Sequence, residues 1–239
     1  MVLRACNSLA GLVLTPLGFI LEATLEAPRW RGTHILVTTP AAESKFVELV
    51  RGWLVSLPHD LKIAFDAMDD ENLPRPVREV AAGVVAYVVS PNDFVGDRND
   101  AVVSYADDAL LLRLALAQAL GKGEDEDAFR SRFPELFDNL DENLTLCKSI
   151  MGELMTWLES KVPTLPSLEY KGKKITKYLD DEEAREQLFD DGLVFRTDYP
   201  VDEKTIADKL KKATTVTEVM KRRKTEEARV KGNKPAARA

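Results

Sequence analysis

This chain of 239 residues has few of the residues from which metal centres and disulfide scaffolds are made: it contains two cysteines and two histidines. Cys6 and Cys147 lie far apart and belong to no motif, so the sequence predicts neither a disulfide framework nor a cysteine-based metal site. With only 12 glycines and 12 prolines, the composition argues against a disordered chain. A phosphate-binding glycine loop is also missing, so nucleotide binding lacks support.

Long hydrophobic runs are missing too. Residues 7–21 carry no charge, but a spanning helix needs about 20 apolar residues, and Pro16 and Gly18 interrupt this segment. We expect it to be buried in the fold, with an interfacial membrane segment as the alternative. Without a recognisable export signal, the expected location is cytoplasmic, with peripheral membrane association as the alternative.

Charge is unevenly distributed along the chain, whose formal net charge is −7. Residues 203–239 contain twelve Lys or Arg and five Asp or Glu, a net charge of +7 that leaves −14 on residues 1–202. The basic run in this tail is a candidate contact for an anionic partner or lipid; it consists of Lys221, Arg222, Arg223 and Lys224. The tail has no interleaved aromatic residue to stack on bases, which ranks nucleic acid below a protein partner. The alternatives are that the tail folds back onto the acidic body of the chain or that it frays into solvent.

A helical hairpin is predicted over residues 77–120. Residues 77–89 are mostly apolar and alanine-rich, and the Ser90-Pro91 pair disfavours continuation of a helix beyond Val89. Asn99 or Asp100 is expected to cap a second helix over residues 101–120. Its apolar positions recur at spacings of three and four, which is typical of a packed helix.

The acids of this hairpin admit three interpretations. Carboxylate oxygens are the ligands that magnesium and calcium prefer, which makes a divalent cation site one hypothesis; its ligands would be Asp93, Asp97, Asp107 and Asp108. The second interpretation is helix capping and turn formation, which Asp and Asn favour without any ligand. The third is pairing of one acid with Arg78, Arg98 or Arg113. No other cofactor is expected.

The hairpin resembles the YkvA-like family, a small helical domain of unknown function. The residues that match the family pattern are Ser90, Pro91, Asp93, Asp97, Tyr105, Asp107 and Asp108. The chain departs from the pattern at Gly96 and at the polar residues 98–100, where the family has a proline and an apolar loop. The resemblance implies a domain carried in membrane-linked contexts without assigned chemistry.

The remaining pattern predicts a mainly α multi-helix bundle over residues 1–161. A helix should begin near Ala41, since Phe46, Val50, Trp53 and Leu57 recur at helical spacing, and Pro58 should end it before a short helix over residues 61–68. Residues 124–127 are expected to form a solvated acidic connector. Residues 134–160 are expected to form one long amphipathic helix.

Two prolines, Pro163 and Pro166, mark a predicted domain boundary. Beyond it, residues 162–213 are expected to form a small α+β appendage. Its predicted elements are a hairpin around residues 171–173, a helix over residues 180–189, a strand over 192–197 and a helix over 202–213. Residues 214–239 are expected to be a basic, partly disordered tail.

The sequence carries no nucleophile and base in a recognisable pattern, and no cluster of His and Cys ligands. We therefore expect a non-enzymatic helical interaction module that binds a protein partner or a membrane surface. One alternative is a metal-dependent hydrolase built on the Asp cluster, in which the cation activates a water molecule. The other is electrostatic binding of nucleic acid by the basic tail.

Overall fold

The computed structural model describes residues 39–90, 102–119, 124–199 and 202–233. These residues all belong to one compact unit, Leu36–Ala239. The unit is mainly α-helical, which confirms the predicted fold class. Within the described ranges, no helix is both long enough and apolar enough to cross a bilayer. The predictions for residues 7–21 and for Asp93, Asp97 and Asp100 lie outside the described residues.

Helix α1 runs from Pro40–Asp69, and its start follows from local chemistry. Thr39 Oγ1 accepts a hydrogen bond from the Ala42 amide at 3.2 Å, and Pro40 occupies the first helical position, where no amide proton is needed. The prediction that Pro58 ends this helix is wrong, because α1 continues through it for eleven more residues. The hydroxyl of Tyr199 donates to the carbonyl oxygen of Leu54 at 2.8 Å, which replaces the bond that Pro58 cannot make.

Helices α2 (Arg75–Val89) and α3 (Ala106–Ala119) form the predicted hairpin, with a 3₁₀ turn over Val103–Tyr105 before α3. Helix α2 ends before Ser90, as expected. Every residue of α3 from Ala106 to Leu116 is buried. Since α1 and α2 both pack against it, α3 is the central helix of the bundle.

Residues 124–160 form four helices: α4 (Glu124–Arg132), α5 (Pro134–Phe137), α6 (Leu140–Met151) and α7 (Glu153–Glu159). The predictions of an acidic connector and of one long helix are therefore wrong. Asn139 and Gly152 adopt φ values of 51° and 53°, a left-handed region that interrupts an α-helix. The apolar residues predicted to form one stripe are divided between α6 and α7.

The two predicted boundary prolines lie in a 3₁₀ helix, Val162–Ser167, that packs against α2. The approach is close: a Cβ atom on Gly83 would lie 2.5 Å from the Leu165 carbonyl oxygen. The predicted hairpin follows as β1 (Glu169–Tyr170) and β2 (Lys173–Lys174), antiparallel with Tyr170 opposite Lys173. Residues on both sides of residue 162 thus belong to the same compact unit.

The C-terminal elements are α8 (Lys177–Asp180), α9 (Glu182–Asp198), α10 (Glu203–Lys209) and α11 (Ala213–Asn233). The strand predicted over residues 192–197 is wrong, since these residues belong to α9. Leu188, Gly192, Phe195 and Tyr199 follow at helical spacing. Gly192 lies against Phe65 of α1, and the rings of Phe195 and Tyr199 lie against Tyr105 of the 3₁₀ turn. This inward packing outweighs the locally strand-like pattern. The predicted tail is helical as far as Asn233.

Candidate functional site

The adjacent acids Asp107 and Asp108 lie in the first turn of α3 and are fully buried. This turn is in the interior because α1 and α2 both pack against α3. The positive end of the helix dipole favours carboxylates at this position, but burial removes their hydration. Two ionisable groups in such a place therefore require partners supplied by other elements.

Asp107 is bound from two sides. The Tyr87 hydroxyl of α2 donates to its Oδ2 atom at 2.8 Å, and Nη1 of Arg223 in α11 lies 2.5 Å from the same oxygen. Oδ1 of Asp107 has no hydrogen-bond partner among the described residues. Burial raises the pKa of the Asp107 carboxyl, whereas the charge of Arg223 and the Tyr87 hydroxyl act to lower it. The structure thus places an internal cation beside this acid.

Arg223 reaches Asp107 because it continues the buried face of α11. Val216, Val219 and Met220 pack into the core, and Arg223 follows at the next turn of the same face. One turn further, Glu227 accepts a hydrogen bond from Lys161 Nζ at 2.6 Å. That ammonium also lies 4.6 Å from the Trp157 ring centroid, a cation–π distance. Two ion pairs therefore fasten the basic helix to the body.

The four predicted basic contacts consequently have different environments. Lys221 and Arg222 are exposed, Lys224 is half-buried, and Arg223 points inward to Asp107. Three of the four residues remain at or near the surface of α11. Arg223 has no free access to an external anion while its pair with Asp107 is intact.

The predicted metal ligands are brought together only in part. Asp107 and Asp108 are adjacent, while Asp93 and Asp97 lie outside the described residues. In the described ranges there is no group of three or more His, Cys, Asp or Glu side chains arranged to hold a metal ion. A cation at Asp107 would have to displace or share the Oδ2 atom that Arg223 and Tyr87 occupy. The metal site stays a prediction.

A second buried ion pair joins α1 to α3 and was not anticipated from the sequence. Nη2 of Arg113 lies 2.5 Å from Oδ2 of Asp60, and the Ser56 hydroxyl donates to the same oxygen at 2.8 Å. The guanidinium lies 4.7 Å from the Trp53 ring centroid. Arg113 is therefore a partner of Asp60, not of the hairpin acids. Nearby, burial raises the pKa of the Cys147 thiol to about 12, so this thiol is protonated and poorly nucleophilic.

The outer face of α9 presents large apolar side chains to solvent. In the described part of the chain, the exposed large hydrophobic residues are Phe189, Leu193 and Val194, which are 47%, 42% and 59% exposed. Phe189 also packs edge-on against Phe65 of α1, with ring centroids 5.5 Å apart. The sequence prediction missed this face because residues 192–197 were assigned to a strand, which would have placed alternate residues inside.

Comparisons of the chain with family models, with curated proteins and with solved structures find no match. The resemblance to the YkvA-like family therefore stays a prediction that rests on the hairpin residues. Function has to be argued from the two features described above, which are the internally paired ionic groups and the exposed face of α9.

Proposed function

We propose that the chain is a non-enzymatic helical interaction module that binds a protein partner through the outer face of α9. The observation that carries the proposal is that Phe189 and Leu193 are exposed one turn apart on α9, while Val194 is exposed about 100° further round the helix. Single exposed apolar residues are ordinary, but large apolar side chains exposed together on one helix are typical of a contact surface.

The ionic groups support the same proposal. Asp60 is paired with the buried Arg113 and Asp107 with the partly buried Arg223, and these contacts fix α3 and α11 in the bundle. Carboxylates that are paired with arginines in this way have a structural role and are poorly placed to transfer protons. The described residues thus offer a surface for binding more readily than a centre for chemistry.

The charge around α9 favours a protein partner over a membrane. Glu186 and Asp190 are exposed beside the apolar residues. Anionic lipids repel carboxylates at their surface, so this face is poorly suited to a negatively charged bilayer. A protein surface with apolar and basic groups fits both features.

A photo-crosslinking residue in place of Phe189 tests the proposal in the native cell. We expect a discrete adduct with a protein at this position and none when the same residue replaces Thr156, which is exposed on α7. The adduct should disappear in the variant Leu193→Ser/Val194→Ser, since the apolar contact drives binding. Equal labelling at the two positions would contradict the proposal.

Vesicle sedimentation supplies the second half of the test. Neutral and anionic vesicles are mixed with the purified chain at low and high salt, and we expect the Leu193→Ser/Val194→Ser variant to sediment as the unsubstituted chain does. Sedimentation that this variant abolishes would make α9 a membrane-binding surface and overturn the proposal of a protein partner. Salt-sensitive sedimentation retained in the variant would assign lipid contact to the basic α11 and leave α9 to its partner.

A further inference from the structure

We infer that the partner of the α9 face is a basic amphipathic helix. This inference rests on the proposed function and specifies the chemistry of the partner. It is drawn from the shape, the charge and the rigid mounting of α9, each of which constrains what can dock there.

The apolar centre of the face has the spacing of a helix-binding stripe. Phe189 and Leu193 are separated by one turn and lie on the same side of α9, whereas Val194 points about 100° away from Leu193. Next to Phe189, a groove of about 370 Å³ is lined by Met68, Asp69, Arg185, Glu186, Phe189 and Asp190. Helix α9 has 17 residues and is about 25 Å long, which matches a partner helix of several turns.

The outer side of α9 is acidic, with Glu186 and Asp190 between Leu193 and Val194 around the helix axis. The exposed acids of α9 are Glu182, Glu183, Glu186, Asp190 and Asp198. Of its two basic residues, Arg185 is turned toward the body, where its Nη2 donates to the Leu179 carbonyl at 2.7 Å, and Arg196 is exposed. The charge that complements this surface is positive, and lysines or arginines that flank an apolar stripe supply it.

The same charges argue against a second copy of the chain as the occupant. Two α9 helices face to face would bring their acidic outer sides together, and like charges across an interface destabilise it. A partner with basic flanks pays no such cost and gains steering toward the face.

The face is also preorganised. Asp181 caps the start of α9 through the Ala184 amide, and Asp191 accepts hydrogen bonds from Tyr170 and Lys171. A Cβ atom on Gly192 would lie 2.4 Å from the Phe65 ring, so glycine is what lets α9 lie this close to α1. A helix fixed in this way loses little conformational freedom when a partner binds.

The test uses a fluorescent peptide of about 18 residues made of leucine and lysine at amphipathic helical spacing. Its binding to the full chain is followed by fluorescence anisotropy. We expect saturable binding that weakens with salt, and a Kd raised about tenfold by Glu186→Lys/Asp190→Lys and about tenfold by Leu193→Ser/Val194→Ser. The matched control is Glu48→Lys/Asp138→Lys, which makes the same change of net charge at exposed positions on α1 and after α5 and should leave the Kd within about twofold.

Three outcomes would overturn the inference. Equal weakening by the α9 and control charge reversals would mean that the peptide responds to net charge alone. Binding of a leucine and glutamate peptide of the same pattern with equal affinity would remove the role of the acidic outer side. Self-association of the chain, lost on Leu193→Ser/Val194→Ser, would assign the face to a second copy. If the crosslink at position 189 forms while the peptide fails, the proposed function stands and the basic character of the partner is wrong.

Discussion

Tyr199 is distant from Pro58 in sequence, yet its hydroxyl provides the hydrogen-bond donor that α1 lacks at Pro58. Proline has no amide proton, so the Leu54 carbonyl loses its partner within the helix. Leu54 is fully buried, and an unpaired carbonyl at that position would be costly. The Tyr199 hydroxyl, 2.8 Å away, removes the cost. No local pattern around Pro58 indicates that Tyr199 will bind the Leu54 carbonyl, which is why the helix end predicted at Pro58 is wrong.

Tyr199→Phe should therefore destabilise the protein by about 1 to 3 kcal/mol, because it leaves the Leu54 carbonyl buried without a donor. In the background Pro58→Ala, the new amide proton serves that carbonyl, and the same substitution should cost at least about 1 kcal/mol less. Urea unfolding of the four proteins of this cycle measures the coupling.

Tyr178→Phe is the matched control for this cycle, since the Tyr178 hydroxyl is also buried and donates to a carbonyl, that of Tyr170 at 2.6 Å. Its cost should not depend on residue 58. Equal costs of Tyr199→Phe in both backgrounds would show that the hydroxyl does not serve as the replacement donor.

Helix α11 is held at the element scale by apolar packing and by two ion pairs. The sequence identified Arg223 as a basic residue and Asp107 as an acid that needed an explanation, and it raised folding back of the tail as an alternative. The sequence did not indicate that these two residues are paired. Arg223 continues the stripe of Val216 and Met220, but only the structure shows that this stripe faces the body. Periodicity predicts a helix face, but it does not identify the surface that the face contacts.

Arg223→Met should destabilise the protein by about 3 to 5 kcal/mol, because Asp107 is left buried without its cation. The double variant Asp107→Asn/Arg223→Met should recover a substantial part of this loss, since no uncompensated charge remains. Chemical denaturation at neutral pH measures both.

Lys221→Met is the matched control on the same helix, where the side chain is exposed, and it should change the free energy of unfolding by about 0.5 kcal/mol or less. If Arg223→Met costs no more than this control, then the pair does not hold α11 on the body.

At the scale of the whole molecule, the tyrosines share one property. Burial raises the pKa of the hydroxyl in each of the five tyrosines of the chain, and in each case the charge of a nearby aspartate raises it further. The folded protein consequently keeps its phenolic protons to higher pH than the unfolded chain does. The tyrosines therefore make their full contribution to the free energy of unfolding below a pH of about 10. This contribution is lost as the pH rises further, because the unfolded chain then releases protons that the folded protein retains.

Ultraviolet absorbance of tyrosinate should accordingly show almost no ionisation in the native protein near pH 10, followed by a cooperative rise that coincides with loss of helical circular dichroism. In concentrated guanidinium chloride the same tyrosines should titrate at about pH 10. Ionisation of a tyrosine near pH 10 with the helical signal intact would contradict the burial described for that residue.

The sequence predicts this fold well where structure is local. The helical class, the C-terminal end of α2 and the turn between β1 and β2 follow from apolar spacing and from proline and glycine positions. It fails where distant contacts decide, as at Pro58, at the breaks beside α6, and in α9, where inward packing of Leu188 and Phe195 outweighs a strand-like pattern. Of the candidate site, Asp107 and Asp108 were named from the sequence, whereas the outer face of α9 was missed because it lies in the segment predicted to be a strand.

The pairing of Asp107 with Arg223 also constrains how the chain matures. The two residues are 116 positions apart, so at typical ribosomal speeds of about 5 to 20 residues per second Asp107 is synthesised many seconds before its partner. During that interval its carboxylate has to stay in water, and the interior around the start of α3 cannot close over it at low cost. The bundle can therefore be completed only after α11 has been translated. Docking of α11, the last described helix, is then the step that buries Asp107.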